Sequence, residues 1–271
     1  GAPIFLKSTD PAELAREHKR LGYGAAYCPA VKLEEKERIR AIESAFQAEG
    51  VVISEVGRWV NLMDADPAKR AANLKTVTDG LALADEVGAR CCVDIAGSMH
   101  EKVWYGPHAK NFSKEFFDAA VENARKIIDA VKPKRAKFCY EMMGWAIPDT
   151  ADNYLKLIKA VARPGFAVHL DLCNAVNSVD KFYNNAALSR ECISKLGKWI
   201  VSSYAKDLAF IPEMNVHFVE VVPGRGEIDY KAFLTALRSL PAPAPLMIEH
   251  LKGAEEYAEA AKYIRSVDAA L

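Results

Sequence analysis

The stretch FAVHLD, Phe166–Asp171, decides the fold. It is a short, mostly apolar run that closes on an acid just before a helix start. That pattern reads as a strand buried on both faces of a parallel sheet. Two other stretches are built the same way: FCYE at Phe138–Glu141 and APLMIE at Ala244–Glu249. An acid at the C-terminal end of such a strand points to the face where an α/β barrel carries its functional groups. Three of them, on three strands of one sheet, predict a shared polar pocket.

Working outward, strand-like and helix-like segments alternate along the whole chain. The predicted strands are Ile4–Lys7, Gly24–Pro29, Val51–Glu55, Arg90–Asp94, Lys137–Glu141, Ala167–Asp171, Trp199–Lys206 and Leu246–Glu249. Helices follow each of them, opening on Asp10-Pro11 and Asp66-Pro67 and covering 33–50, 113–131, 148–162, 179–196, 230–240 and 254–267. An acid cap with proline in the first turn is a helix-start signal. Strand–helix units repeating at about 30 residues imply parallel strands joined by right-handed crossovers. Eight of them predict a single (β/α)8 TIM barrel of the α/β class, one domain over residues 1–271. No GxGxxG follows the first strand, which argues against a dinucleotide-binding sheet. The segment Val216–Val222 alternates like an extra ribbon inserted after strand seven.

Composition narrows the class. The chain has 271 residues, 51% hydrophobic and 27% charged, and Lys+Arg balances Asp+Glu at 36 each. A barrel of this kind takes about 250 residues. Zero net charge speaks against a nucleic-acid partner, which needs a basic face. No apolar stretch reaches the roughly 20 residues of a membrane span. The first residues lead directly into strand and helix, so no signal peptide is expected. The six cysteines show no CxxC spacing and fall mostly in strand-like runs. They read as reduced core residues of a cytoplasmic protein.

Strand alternation fixes which groups share a face. With Asp171 pointing inward, His169 lies one layer deeper. On strand seven Lys206 and Tyr204 share a face, with Asp207 on the other. The mouth then holds Glu141, Asp171, Glu249 and Lys206, with Tyr204 and His169 below, and Lys7 and Glu55 as candidates for the rim. Carboxylates packed in a low dielectric need a cation, a proton or a lysine to balance them. Hard oxygen donors favour Mg2+ or Mn2+, and an added imidazole would extend the choice to Co2+ or Zn2+. The plainer alternative is a structural network in which these acids pair with Lys206, Arg225 or His250. Trp145 is placed to stack on a sugar face or to cap the rim. The PGRG turn at Pro223–Gly226 is too short for a phosphate loop, although its amides could meet an anion.

At these residues the sequence resembles the xylose isomerase-like family of sugar isomerases and epimerases, which also includes endonuclease IV-type nucleases. The carrying motifs are YEMM (Tyr140–Met143), HLDLCNAVNS (His169–Ser178), SSYAKD (Ser202–Asp207), VVPGRGEIDY (Val221–Tyr230) and PLMIEHL (Pro245–Leu251). The resemblance spans nearly the whole chain. It implies a divalent metal, often Mn2+, on Glu141, Asp171 and Glu249, with a fourth ligand at position 204. Relatives carry His there in an HxKD motif; this chain carries Tyr204, a weak ligand unless ionised.

The resemblance further implies proton transfer beside a carbonyl through an enediolate. Glu141 and Glu249 would be the acid/base pair and Lys206 a catalytic cation, with Trp145, His169 and Tyr204 in substrate binding. The expected partner is a small sugar, with a homo-oligomer an open option. The alternatives are a lyase that eliminates from an oxidised glycoside, a metal-free sugar-binding protein, and a DNA-repair nuclease. The last needs more His ligands and a basic groove.

Overall fold

The computed structural model describes residues 1–271. In chain order its strands are β1 (Ala25–Tyr27), β2 (Val52–Gly57), β3 (Cys91–Asp94), β4 (Lys137–Glu141), β5 (Phe166–Asp171), β6 (Ile200–Ala205), β7 (Asp207–Ile211), β8 (His217–Val221) and β9 (Leu246–Ile248). Its helices are α1 (Pro11–Arg20), α2 (Lys36–Ala48), α3 (Pro67–Val87), α4 (Lys114–Val131), α5 (Ala151–Val161), α6 (Leu172–Ala175), α7 (Val179–Tyr183), α8 (Asn185–Leu196), α9 (Tyr230–Arg238) and α10 (Gly253–Ala269). The wall is a parallel sheet in the order β1-β2-β3-β4-β5-β6-β9, with the helices around it. This is the TIM barrel that the alternation predicts, with seven strands in its wall.

The predicted first strand, Ile4–Lys7, is not a strand. Ile4 packs against the core, but Phe5 and Leu6 are exposed and the run joins no strand ladder. Where the sheet would close, the Gly1 amine donates to Leu246 O at 2.7 Å, and Ile248 N donates to Gly1 O at 2.8 Å. Gly1 also packs on Ala25, so it bridges β9 and β1 where the sheet would close. A second departure is the predicted helix 179–196, which divides into α7 and α8. Asn184, outside helical geometry at φ −107° and ψ 27°, ends one and starts the other while its amide bonds back to Asp180. Such local side-chain bonds compete with a continuous helix.

The Val216–Val222 ribbon is half of an antiparallel hairpin, β7–β8, that follows β6 without a helix. Asp207 anchors it. One carboxylate oxygen accepts from Leu208 N and Ile228 N, and the other from Gly224 N and Gly226 N. The amides of the PGRG turn are thus committed to Asp207 rather than to an anion. Gly226 is required there, because a Cβ would lie 2.3 Å from Asp207 Oδ1. Phe218 stacks on Phe182 at 4.9 Å and ties the hairpin to α7.

Two register shifts shape the barrel interior. Between β1 and β2, Ala26 pairs with Ile53 and Tyr27 with Glu55, which leaves Ser54 as the extra residue. Between β5 and β6, Val168 pairs with Ile200 and His169 with Ser202. A bulge re-aims side chains that simple alternation would send apart. Consecutive Ser54 and Glu55 accordingly both reach the hydroxyl of Ser202, at 2.9 and 3.1 Å.

Candidate active site

Glu141 ends β4, Asp171 ends β5 and Glu249 immediately follows β9. One oxygen of each lies within 4.8 Å of the others. Glu141 and Asp171 are buried, and Glu249 is nearly so. Burial raises the Glu141 carboxyl well above the usual carboxylate range. Lys206 opposes that rise, and the negative charges of Asp171 and Glu249 add to it. Glu249 is pushed up to about 7, first by burial, with Lys206 opposing and Asp171 adding.

Lys206, one residue beyond β6, supplies the balancing charge. Its Nζ lies 2.7 Å from Asp171 Oδ2, 3.2 Å from Glu249 Oε1 and 3.4 Å from Glu220 Oε1. Burial works against its charge, but Asp171, Glu249, Glu141 and Glu220 together hold it well above its ordinary value. Asp171 Oδ2 and Glu249 Oε1 nevertheless accept no directed hydrogen bond. The short distances are real contacts, and they are ionic ones without an aligned N–H. Arg225 is committed to Glu259, so of the expected balancing groups only Lys206 and, at 3.6 Å from Glu249, His250 are present.

Two residues that sequence reasoning left out of the site complete it. Asn174 donates to Glu141 Oε1 at 2.9 Å and accepts from Lys206 Nζ at 2.9 Å, while its backbone N–H donates to Asp171 Oδ1. It therefore fixes all three charged groups relative to one another. Its signal was its place three residues after Asp171, where a helix cap bonds. Glu220 comes from β8 of the hairpin, and its other oxygen bonds His250 Nδ1 at 2.8 Å.

Beneath this layer Glu55 is central. The Tyr204 hydroxyl donates to Glu55 Oε1 at 2.5 Å, and His169 Nε2 and the Ser202 hydroxyl meet Oε2 at 2.9 and 3.1 Å. Glu55 thus lies in the barrel interior, 1% exposed, not on the rim as expected. Lys7 is exposed on the N-terminal segment and does not join the cluster. Tyr204 and His169 are buried and do not line the open cavity above. Burial, then the Glu55 charge, holds the Tyr204 phenol well above its ordinary value. A neutral phenol engaged with Glu55 is not disposed as a metal ligand.

Above the cluster opens a cavity of about 440 Å3. Glu141, Asn174, Lys206, Glu220, Glu249 and His250 line one part, and Trp59, Ile95, Trp104, Tyr105, Met143 and Trp145 the other. Trp145 is held by an indole N–H bond to Tyr105 O.

The model of the xylose isomerase-like TIM barrel family matches residues 16–267. The chain belongs to that family. Solved structures of the same architecture overlay most of it. Endonuclease IV from Thermus thermophilus is 18% identical with TM-score 0.71, covering 100% of this chain and 98% of its own. The apo form of a 3-keto-D-glucoside 4-epimerase from E. coli is 12% identical with TM-score 0.70, covering 98% and 97%. A xylose isomerase-like TIM barrel protein from Mycobacterium smegmatis, in complex with magnesium, is 19% identical with TM-score 0.66, covering 94% and 87%. No curated protein sequence matches the chain. Within this xylose isomerase-like barrel no helix is long and apolar enough to cross a membrane.

Proposed function

We propose that this chain is a divalent-metal-assisted isomerase or epimerase of a keto-sugar, working by proton transfer beside the carbonyl. The observation that carries the reading is the pair Glu141 and Glu249. Both are buried at the mouth of one cavity, and both have raised proton affinity in the metal-free chain. Burial raises both carboxyls, Glu249 to about 7, so each can exchange a proton with a substrate held between them. Carboxyls shifted toward neutral pH in this way suit acid/base roles.

The donor set fits a hard cation. Three carboxylates converge within 4.8 Å, and two of their oxygens are buried with no directed hydrogen bond. Glu141, Asp171 and Glu249 would hold Mg2+ or Mn2+, which would polarise the substrate carbonyl. In this reading Glu249 removes the proton from the carbon beside the carbonyl. Glu141 returns one, to the opposite face of the same carbon in an epimerisation or to the neighbouring carbon in an isomerisation. Lys206 faces the negative charge that develops on oxygen, and Asn174 keeps Lys206 and Glu141 in register. The 3-keto-D-glucoside 4-epimerase among the similar structures supports a sugar substrate.

The test is deuterium wash-in. Wild-type protein with Mn2+ and a panel of ketoses and keto-glycosides in D2O should place deuterium on a carbon next to the carbonyl. Glu249→Gln should lower that rate by about 10²–10⁴-fold with the fold intact. Absence of exchange from every keto-sugar, with the cation bound, would sink the reading. An elimination would begin with the same proton removal, and release of the group on the neighbouring carbon would distinguish it.

A further inference from the structure

We propose that the substrate is a conjugate in which the reacting sugar carries a flat apolar group, and that Trp59, Trp104 and Tyr105 bind that group. This rests on the reading of the carboxylate cluster as a sugar site and extends it.

The cavity divides by topology. Its polar part comes from the ends of β4, β6 and β9, the start of α6 and the hairpin strand β8, through Glu141, Lys206, Glu249, Asn174 and Glu220. Its apolar part comes from the loops after three adjacent strands. Trp59 follows β2, Trp104 and Tyr105 follow β3, and Trp145 follows β4. Three of the four tryptophans in the chain therefore face one cavity.

The rings are left open to solvent. Trp59 is 41% exposed, Trp104 40% and Tyr105 46%. Trp104 packs edge-on against Tyr105 at 5.1 Å, which leaves ring faces and edges available to a ligand. Exposed aromatic surface gathered in a concave site and continuous with polar groups marks a ligand pocket. A hydroxyl-covered sugar ring is served by the carboxylates, Lys206 and one stacking ring, and Trp145 stands nearest in sequence to Glu141 for that purpose. The other three rings offer few hydrogen bonds to a polyol. They suit a planar, apolar neighbour attached to it. At about 440 Å3 the cavity lies in the range that encloses a ligand larger than one ring.

The experiment compares matched ligands by calorimetry on the Mn2+-supplemented protein: methyl and phenyl glycosides of the same sugar, with phenol as a control. The phenyl glycoside should bind about tenfold tighter than the methyl glycoside. Trp59→Ala and Trp104→Ala should remove that difference and leave methyl glycoside binding unchanged. Both side chains sit half-exposed on loops, and circular dichroism confirms that each variant is folded. Equal binding of the two glycosides overturns the proposal and leaves the sugar reading intact. Binding of phenol alone, with neither glycoside bound, overturns the sugar reading and the proposal with it. A phenyl preference that survives both substitutions overturns the assignment to these rings.

Discussion

Lys206 Nζ lies 2.7 Å from Asp171 Oδ2, a buried oxygen that has no directed hydrogen bond. The ammonium therefore stands where a cation ligated by the same oxygen would be drawn. Mg2+ sits about 2.0–2.1 Å from its oxygen ligands. Lysine and metal thus compete for Asp171 and, 3.2 Å from Nζ, for Glu249. A built-in cation keeps the carboxylates folded without metal, at the cost of weaker metal binding.

Lys206→Met tests that competition. Removing one partner of a buried ion pair leaves the others uncompensated, and the metal-free variant should lose roughly 3 kcal/mol of stability. Added Mn2+ should restore more stability to the variant than it adds to the wild type. Thermal melts with EDTA and with Mn2+ measure both effects. A variant that melts like the wild type under each condition would remove Lys206 from the charge balance.

Glu249 gives the site a pH dependence with a definite sign. Its carboxyl is raised from 4.5 to about 7. The folded, metal-free chain therefore holds a proton there that the unfolded chain has already lost. The resulting stabilisation is complete below about 4.5 and fades as pH rises through about 7, by at most roughly 3 kcal/mol. Urea unfolding in EDTA at pH 5 and pH 8 should show the loss, and Glu249→Gln should flatten it. Mn2+ affinity should move the other way, rising through pH 7 as the proton leaves. An unchanged slope in Glu249→Gln would assign the dependence to another group.

The parts of this architecture that sequence reveals are those written in runs of residues. Phe138–Glu141 and Phe166–Asp171 are buried on both faces, so their apolar continuity betrays them. The bonds of Gly1 to Leu246 and Ile248 carry no sequence pattern, because one residue has none. Glu55 looked like a rim acid because alternation alone cannot foresee the bulge at Ser54 that turns it inward. Asp94 ends β3 just as Asp171 ends β5, yet its Oδ1 accepts from Val60 N and Ile95 N and it stays out of the cluster. A strand-terminal acid is thus a candidate that only the neighbouring backbone decides. Glu220 and Asn174 were hidden for a related reason. Neither closes a buried strand run, and a hairpin and a helix start carry them to Lys206 from 14 and 32 positions away.

Tyr204 is the last test, since it marks where this chain departs from the HxKD pattern. Its hydroxyl is one of three groups on Glu55, with His169 and Ser202. Tyr204→Phe should cost about 1–3 kcal/mol, because the buried carboxylate loses a donor that nothing replaces. Tyr204→His puts a neutral nitrogen ligand at the position where the family motif carries one, beside three carboxylates. Mn2+ affinity by calorimetry should then rise about tenfold or more, and Co2+ or Zn2+ should gain more than Mg2+ because imidazole suits the softer ions. If Tyr204→His folds and its metal affinity and metal preference match the wild type, position 204 is not a ligand position in this barrel. The phenol would then serve Glu55 alone.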